Sequence, residues 1–435
     1  MFKRINFNNI SSTSRVVALS SAVAFATQVA FALLMLRWFT PQEVGEFSVI
    51  SQIGFFWMTL ALAQAPLGLL ANQHLPAHTA AQHAWRTSAM RGMGLLPVAA
   101  LAVWFSQLAL WPALLWASLL AFCQMGWMLA QSFTLRAGSA WQQAAVRVLP
   151  PLTAAAAALT AGLMGASFGW SGPTLVVSAL LGYALGAVWL VPALREHVEQ
   201  GHSTPPSRST SAAADSAATA PPNQSHQSDP RSASLRVAHT LVDALLATAI
   251  IVVWQRLYGA EETGWMSALL RVLGFLPAVV HMAWAQVALA QGPHSPTGNT
   301  RLASPWWLGL GAFACVMVLG LSCAAALYLG WLDPRWGGVW PYIAPLVLWQ
   351  GSACLSAAFS HRPFQTQSAS AYSWACMALG TLQAVVLFVP VVLAQPISAE
   401  QHMAGLAWVS SLGLLGLTVW MARQPYATRS RIHTK

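Results

Sequence analysis

Residues Arg37–Ser48 read RWFTPQEVGEFS, and Arg256–Ser267 read RLYGAEETGWMS. The two stretches align without gaps at an offset of 219 residues, about half of the 435-residue chain. Arg37 meets Arg256, Glu43 meets Glu262, Gly45 meets Gly264 and Ser48 meets Ser267, while Phe39 meets Tyr258 and keeps an aromatic ring. Each copy follows one long apolar segment and precedes another. The repeat divides the chain into two like halves, so the fold class follows from what those halves are made of.

They are made of very little charge. Lys and Arg number 21 and Asp and Glu 11, together 7% of the chain, against 56% hydrophobic residues. A soluble domain carries roughly 25% charge. This scarcity excludes a cytosolic enzyme, a DNA-binding protein and a disordered scaffold, and leaves an integral membrane protein. A spanning helix needs about 20 mostly apolar residues. Twelve segments qualify: Val16–Leu36, Phe47–Leu70, Met93–Leu110, Pro112–Ala130, Val148–Met164 and Leu175–Leu194, then Val237–Trp254, Thr263–Ala290, Trp306–Leu329, Val339–Phe359, Ala371–Ala394 and Met403–Met421. Lys3, Arg4 and Arg15 precede the first as they would a signal peptide, but its apolar run is longer than a usual signal core, which makes it an uncleaved first helix.

Gly201 to Leu235 holds nine Ser, five Pro and no aromatic residue. Such a stretch cannot bury enough apolar surface to offset its ordering entropy and reads as a disordered linker. The expected fold is therefore all-α and integral to the membrane. Residues 1–200 form one six-helix half, 201–235 a linker and 236–435 a second six-helix half. An even number of helices per half gives both halves the same orientation, related by an axis along the membrane normal, as in parallel-repeat transporters.

With the N-terminus in the cytoplasm, seventeen of the 21 basic residues fall on the inner side, Arg86, Arg91, Arg136 and Arg147 among them. Only Arg37, Arg256 and Arg335 fall outside, and Arg271 lies within a helix. The positive-inside rule thus places both termini and the linker in the cytoplasm. It also accounts for most of the +10 net charge without nucleic acid. The five cysteines lie in apolar segments with no CxxC pair, which favours buried hydrophobes over a disulfide framework or zinc site. In the repeated motif, the glycines read as permitting a close turn, and the glutamates as standing at helix N-termini where the macrodipole favours negative charge. The arginines read as headgroup anchors.

The stretch LRWFTPQEVGEFSVISQIGFF resembles the opening of bacterial polysaccharide exporters, the Wzx-type flippases of the multidrug/oligosaccharidyl-lipid/polysaccharide superfamily. Thr40-Pro41-Gln42-Glu43-Val44-Gly45-Glu46-Phe47 is similar to their L-G-P-E-E-F-G pattern, with Thr40 where Gly is usual. YGAEETGWMSALLRVLGF resembles the matching stretch of the second half, and WLDPRWGGVW, Trp331–Trp340, the loop before the tenth helix. The resemblance implies an inner-membrane transporter of undecaprenyl-pyrophosphate-linked glycan, moved from the inner to the outer leaflet for surface polysaccharide biosynthesis. It implies no cofactor. The long polar linker departs from the family pattern.

Charges inside spans are costly and mark functional candidates. Arg271 lies in the eighth span, and the 219 offset pairs it with Gln52. The two are expected to face a central cavity and bind a polar or anionic substrate, since arginine holds phosphate bidentately. An arginine snorkelling outward or paired with a carboxylate is the alternative. Asp243, with His239 one turn earlier on the same face, is the ion-coupling candidate, against a hydrated interfacial carboxylate near Arg236. His281, beyond Pro277, is a third substrate candidate, against a packing histidine. Gly182 and Gly186 form a GxxxG pair suited to close helix packing. A drug/cation antiporter would carry more intramembrane carboxylates. A membrane glycosyltransferase or polymerase would need a large outer loop with catalytic groups, for which only Glu43 and Glu46 offer themselves. No P-loop, HExxH or triad pattern is present, which argues against an enzyme. The linker and basic tail leave room for a partner in a polysaccharide-biosynthetic complex.

Overall fold

A computed structural model of the chain describes residues 12–63, 65–71, 75–168, 173–195, 230–285, 304–366, 368–393 and 397–424. The first half runs α1 (Ser12–Trp38), α2 (Pro41–Leu62), the short α3 (Ala65–Ala71), α4 (Ala77–Gly94), α5 (Leu96–Phe105), α6 (Leu110–Ala137), α7 (Ala140–Phe168), α8 (Thr174–Val188) and the one-turn α9 (Val191–Arg195). The second half runs α10 (Pro230–Val279), a π-turn (Val280–Ala285), α11 (Pro305–Tyr328), a 3-10 turn (Pro334–Val339), α12 (Trp340–Phe359), the short α13 (Arg362–Gln365), α14 (Ala369–Leu393) and α15 (Ala399–Arg423).

Read as crossings, these elements give six per half. In the first half α4 and α5 form one crossing bent by 47°. In the second, α10 supplies two crossings, because Gly259 (φ 87°) breaks it into limbs 230–258 and 260–279. Only glycine takes that backbone conformation without strain. The chain is thus an all-α, multi-pass membrane protein in two six-helix bundles. Its described helix ends alternate between two faces, here called the linker face (Leu62, Ala77, Ala137, Ala140, Val188, Pro230, Phe359 and Ala369) and the motif face (Trp38, Pro41, Phe105, Leu110, Gly259, Tyr328 and Trp340).

The structure moves one span substantially. The third crossing starts at Ala77, not Met93, and Arg86 and Arg91 lie on its helix rather than in a loop. The sequence AHTAAQHAWRTSAMRGMG concealed it because its polar side chains dilute any hydropathy window. Yet one stripe, Ala80, Ala81, Ala84, Ser88 and Gly92, is small and buried against α2 and α6. Pro97 follows at once. It has no backbone N–H and permits the bend into the apolar α5. Of the expected linker, residues 201–229 lie outside the described residues, and helix begins at Pro230, inside its last turn.

Small residues set the packing within the bundles, since lipid offers no hydrophobic drive between helices and close backbone approach is what dispersion rewards. A Cβ at Gly182 would sit 2.5 Å from the Pro150 carbonyl oxygen, and one at Gly186 2.3 Å from Trp127. The GxxxG pair of α8 therefore seats α7 and α6 directly. Trp127 completes the joint by donating to the Val146 carbonyl at 2.7 Å and stacking on Tyr183.

Candidate functional site

The repeated motif brings the two halves together. In its first copy α2 is capped: Thr40 accepts from the Glu43 backbone N–H, and the Glu43 carboxylate accepts from Thr40 N at 2.8 Å. This reciprocal pair satisfies two donors that a helix start leaves free. In the second copy Gly259 stands where Thr40 stands, so no hydroxyl is present to cap. Glu262, freed from that role, accepts a hydrogen bond from the Tyr342 hydroxyl of α12.

The glycines have a different use from the turn that sequence suggests. Gly45 and Gly264 lie one turn into their helices, where α2 crosses the second limb of α10. A Cβ on Gly45 would meet the Ala260 carbonyl oxygen at 1.9 Å, and a Cβ on Gly264 the Pro41 carbonyl oxygen at 1.8 Å. Pro41 and Ala260 are themselves partners by the 219 offset. The contact repeats itself under the pseudo-two-fold, with the glycine of each helix admitting the other's backbone. One turn further in, Ser48 Oγ and Ser267 Oγ, also offset partners, lie 2.8 Å apart. The axis runs between these two hydroxyls.

Arg271 stands one turn beyond Ser267 and reaches across the axis. Its Nη2 donates to Ser48 Oγ at 3.1 Å and Ser51 Oγ at 3.2 Å, its Nη1 lies 3.8 Å from Met35 Sδ, and its guanidinium sits 4.5 Å from the centre of the Phe47 ring. All these partners are neutral. Among the described residues no carboxylate pairs with it. The cation is held by hydroxyl dipoles and a π-face, each a partial substitute for a counter-ion. Its offset partner Gln52 makes the reverse reach, from α2 to Thr248 Oγ1 on the first limb of α10 at 3.4 Å. Of this surround Phe47 and Ser48 lie in the repeat, and only Ser48 is identical to its offset partner, Ser267, which is the signal that points to it. Met35 and Ser51 lie outside the motif and carry no sequence signal of their own, and Phe47 aligns with Met266.

The other sequence candidates lie apart. His239 Nε2 and Asp243 Oδ2 form a 3.0 Å ion pair across one turn of the first limb of α10, with side chains 18% and 57% exposed respectively. The histidine also meets the Tyr372 ring of α14 edge-on, at 5.8 Å. The carboxylate is thus the outward member of the pair and the histidine the packed one. His281 occupies the π-turn at the linker-face end of its crossing, where its Nδ1 lies 3.0 Å from Ser360 Oγ at the end of α12. It is separated from Arg271 by more than two helical turns.

A second polar cluster had no counterpart in the sequence reading. Trp254, fully buried, stacks on His402 at 4.8 Å and donates to Tyr342 at 3.4 Å, and the Tyr258 hydroxyl lies 3.0 Å from His402 Nδ1. With Glu262 it ties both limbs of α10 to α12 and α15. Each polar group within it finds a partner, as buried groups in a low-dielectric interior must. Among the described residues no group of three or more His, Cys, Asp or Glu is arranged to hold a metal ion.

No protein-family model matches the chain, nor does any curated protein sequence. Among solved structures it is similar to the lipid II flippase MurJ in an inward closed conformation, with 9% identity and a TM-score of 0.58 over 95% of this chain and 88% of that one. It is also similar to an inward-facing multidrug resistance MATE family transporter of the MOP superfamily, with 10% identity and a TM-score of 0.43 over 96% and 95%. The MATE transporter ClbM in complex with Rb+ gives 13% identity and a TM-score of 0.39 over 96% and 93%. At 9% identity the likeness to MurJ is one of fold, and it extends over nearly the whole of this chain.

Proposed function

We propose that this protein is a flippase that carries undecaprenyl-pyrophosphate-linked oligosaccharide from the inner to the outer leaflet of the bacterial inner membrane, by rocking its two halves about the axis between Ser48 and Ser267. The supporting observation is Arg271. An arginine at the junction of two movable halves, steadied by neutral groups and lacking a carboxylate, keeps its charge for an anion, and its planar fork suits a pyrophosphate. The fold likeness to a lipid flippase points the same way. The sugar headgroup passes between the halves while the polyprenyl tail stays in lipid. Gln52 and Ser51 line the same junction and offer hydrogen bonds to it. The Asp243–His239 pair, removed from Arg271, is the ion-coupling element of this proposal. The N- and C-termini and the linker lie in the cytoplasm.

The glycosyltransferase alternative has no support in the geometry. Of its two candidate acids, Glu43 is bound into the α2 cap, and Glu46 accepts from Gln42 at 3.2 Å. The deciding experiment follows lipid-linked sugar by leaflet. A strain lacking this protein should trap it on the cytoplasmic side, and complementation should release it. Prompt outer-leaflet appearance without the protein would refute the flippase reading.

A further inference from the structure

The first half contains a second cation midway along its third crossing, outside the site just described. Arg91 stands fourteen residues from either end of the third crossing, Ala77 to Phe105, which is about 21 Å along the helix each way. Its depth is fixed by the next residue, whose carbonyl accepts from Trp57 Nε1 of α2 at 2.7 Å. Arg91 is exposed, and among the described residues nothing pairs with it. An uncompensated charge midway through a membrane crossing costs several kcal/mol unless water or a counter-charge reaches it.

What reaches it is a cavity of about 470 Å³ between α4 and the broken end of α2. Ala63 (φ 45°) interrupts α2, and the chain resumes as α3, leaving a gap beside the helix. The walls differ in chemistry. Arg91, Thr87 and His83, spaced four residues apart, form one polar stripe, while Leu69, Leu75 and Ala84 line the apolar remainder. The volume falls within the range of a small-molecule site. The nearby basic side chain Arg136, which donates to the Leu69 carbonyl at 2.8 Å, has no acidic residue between Glu46 and Glu196 in its half to offset it.

We infer that this cavity holds an anionic membrane phospholipid, with its phosphate on Arg91 and Thr87 and an acyl chain along Leu69 and Leu75. The pairing of a cationic stripe with an apolar wall matches an amphipathic anion and not a free inorganic one, and basic pockets between membrane helices take lipid phosphates. The occupant is a resident lipid and not the cargo, because every lining residue belongs to one half. A group bound here rides with that half and is never handed across the junction where the halves part.

The test is lipid retention by the purified full-length protein. Lipids that co-purify in mild detergent are extracted and quantified by mass spectrometry, with phosphatidylglycerol and phosphatidylethanolamine added back as anionic and zwitterionic probes. The wild type should retain phosphatidylglycerol selectively, and Arg91→Ala should lower its retention about tenfold, the loss of one charge-assisted contact. Gly68 lines the same cavity, and a Cβ there meets nothing within 4 Å, so Gly68→Leu fills the space without altering any charge. It should lower retention comparably while the melting temperature holds, which separates occupancy from misfolding. Arg86→Ala, on the same helix but outside the cavity, should retain lipid as the wild type does. The inference is overturned if Arg91→Ala and Gly68→Leu retain wild-type amounts, if Arg86→Ala loses as much, or if the retained lipid is zwitterionic or a polyprenyl phosphate. No transport is measured, so failure here leaves the flippase reading standing, and the reverse.

Discussion

Gly264→Ala is the sharpest perturbation the fold offers. The added methyl would lie 1.8 Å from the Pro41 carbonyl oxygen, and real Cβ atoms essentially never come closer than 3.0 Å to such an atom. The obstacle is backbone, so α2 and the second limb of α10 must separate by at least about 1.2 Å at this point. A gap of 0.5–1 Å already forfeits a quarter to a half of a dispersion contact. The separation also strains the Ser48–Ser267 bond one turn away. Overpacking of this kind costs about 1–3 kcal/mol, and the upper end applies because neither partner is a flexible side chain. Gly45→Ala should cost about the same, since its methyl would meet Ala260 in the mirrored contact. The double variant should cost clearly less than the sum, because the first methyl has already parted the helices. Gly311→Ala and Gly416→Ala, where a Cβ meets nothing within 4 Å, serve as controls and should be neutral or stabilising by up to about 1 kcal/mol from helix propensity. Thermal unfolding in one detergent, monitored by tryptophan fluorescence, measures all five. If Gly264→Ala melts with its controls, or if the two single effects add in full, the shared backbone contact on the axis is refuted.

Three further outcomes follow from the structure. Arg271→Ala should abolish export with normal expression and melting, and Arg271→Lys should restore little of it, because one ammonium cannot reproduce the fork that meets Ser48 and Ser51 together; unchanged export would remove Arg271 from the site. Asp243→Asn should flatten the pH dependence of export while leaving the fold intact, and an unaltered pH profile would remove the Asp243–His239 pair from coupling. The Asp333 carboxyl, hydrogen-bonded by the Arg335 side chain and backbone, is held at about 2 instead of its ordinary 3.8. Its folded value is the lower one, so its contribution is complete above about pH 4 and lost as pH falls through 2. Wild type and Asp333→Asn should therefore differ by a constant offset in melting temperature from pH 5 to 8, and converge only in strong acid.

The fold class was legible because its signals add along the chain. Apolar segments, a period of 219 residues and one-sided arginines each speak for many residues at once. The misplaced start of the third crossing shows where that ends. α4 is half polar, and a window that averages around a helix cannot see that its small residues share one buried stripe. The same averaging put Arg91 in a loop. Repeat alignment did better at the site, since it paired Ser48 with Ser267 and Gly45 with Gly264 before any coordinates were known. It could not tell that the glycines admit a neighbouring helix instead of a turn, because a turn is local and a crossing needs a partner 219 residues away. Nor could it foresee that Glu43 and Glu262, identical by alignment, would diverge. That difference follows from one neighbouring position, Thr40 against Gly259, which decides whether a hydroxyl is present to engage the carboxylate.

The neutral surroundings of Arg271 have an electrical consequence. A guanidinium whose supports carry no formal charge keeps a full positive charge in the path between the leaflets. A resting membrane voltage acts on such a charge with about 2.3 kcal/mol per 100 mV for a complete traverse. If the cargo is the proposed pyrophosphate, the loaded junction carries net negative charge, and the sign of that work reverses. In the proposed cycle the loaded and unloaded strokes would then feel the voltage in opposite directions, so an inside-negative potential would itself give that cycle a preferred direction, outward for the anion and inward for the vacant arginine.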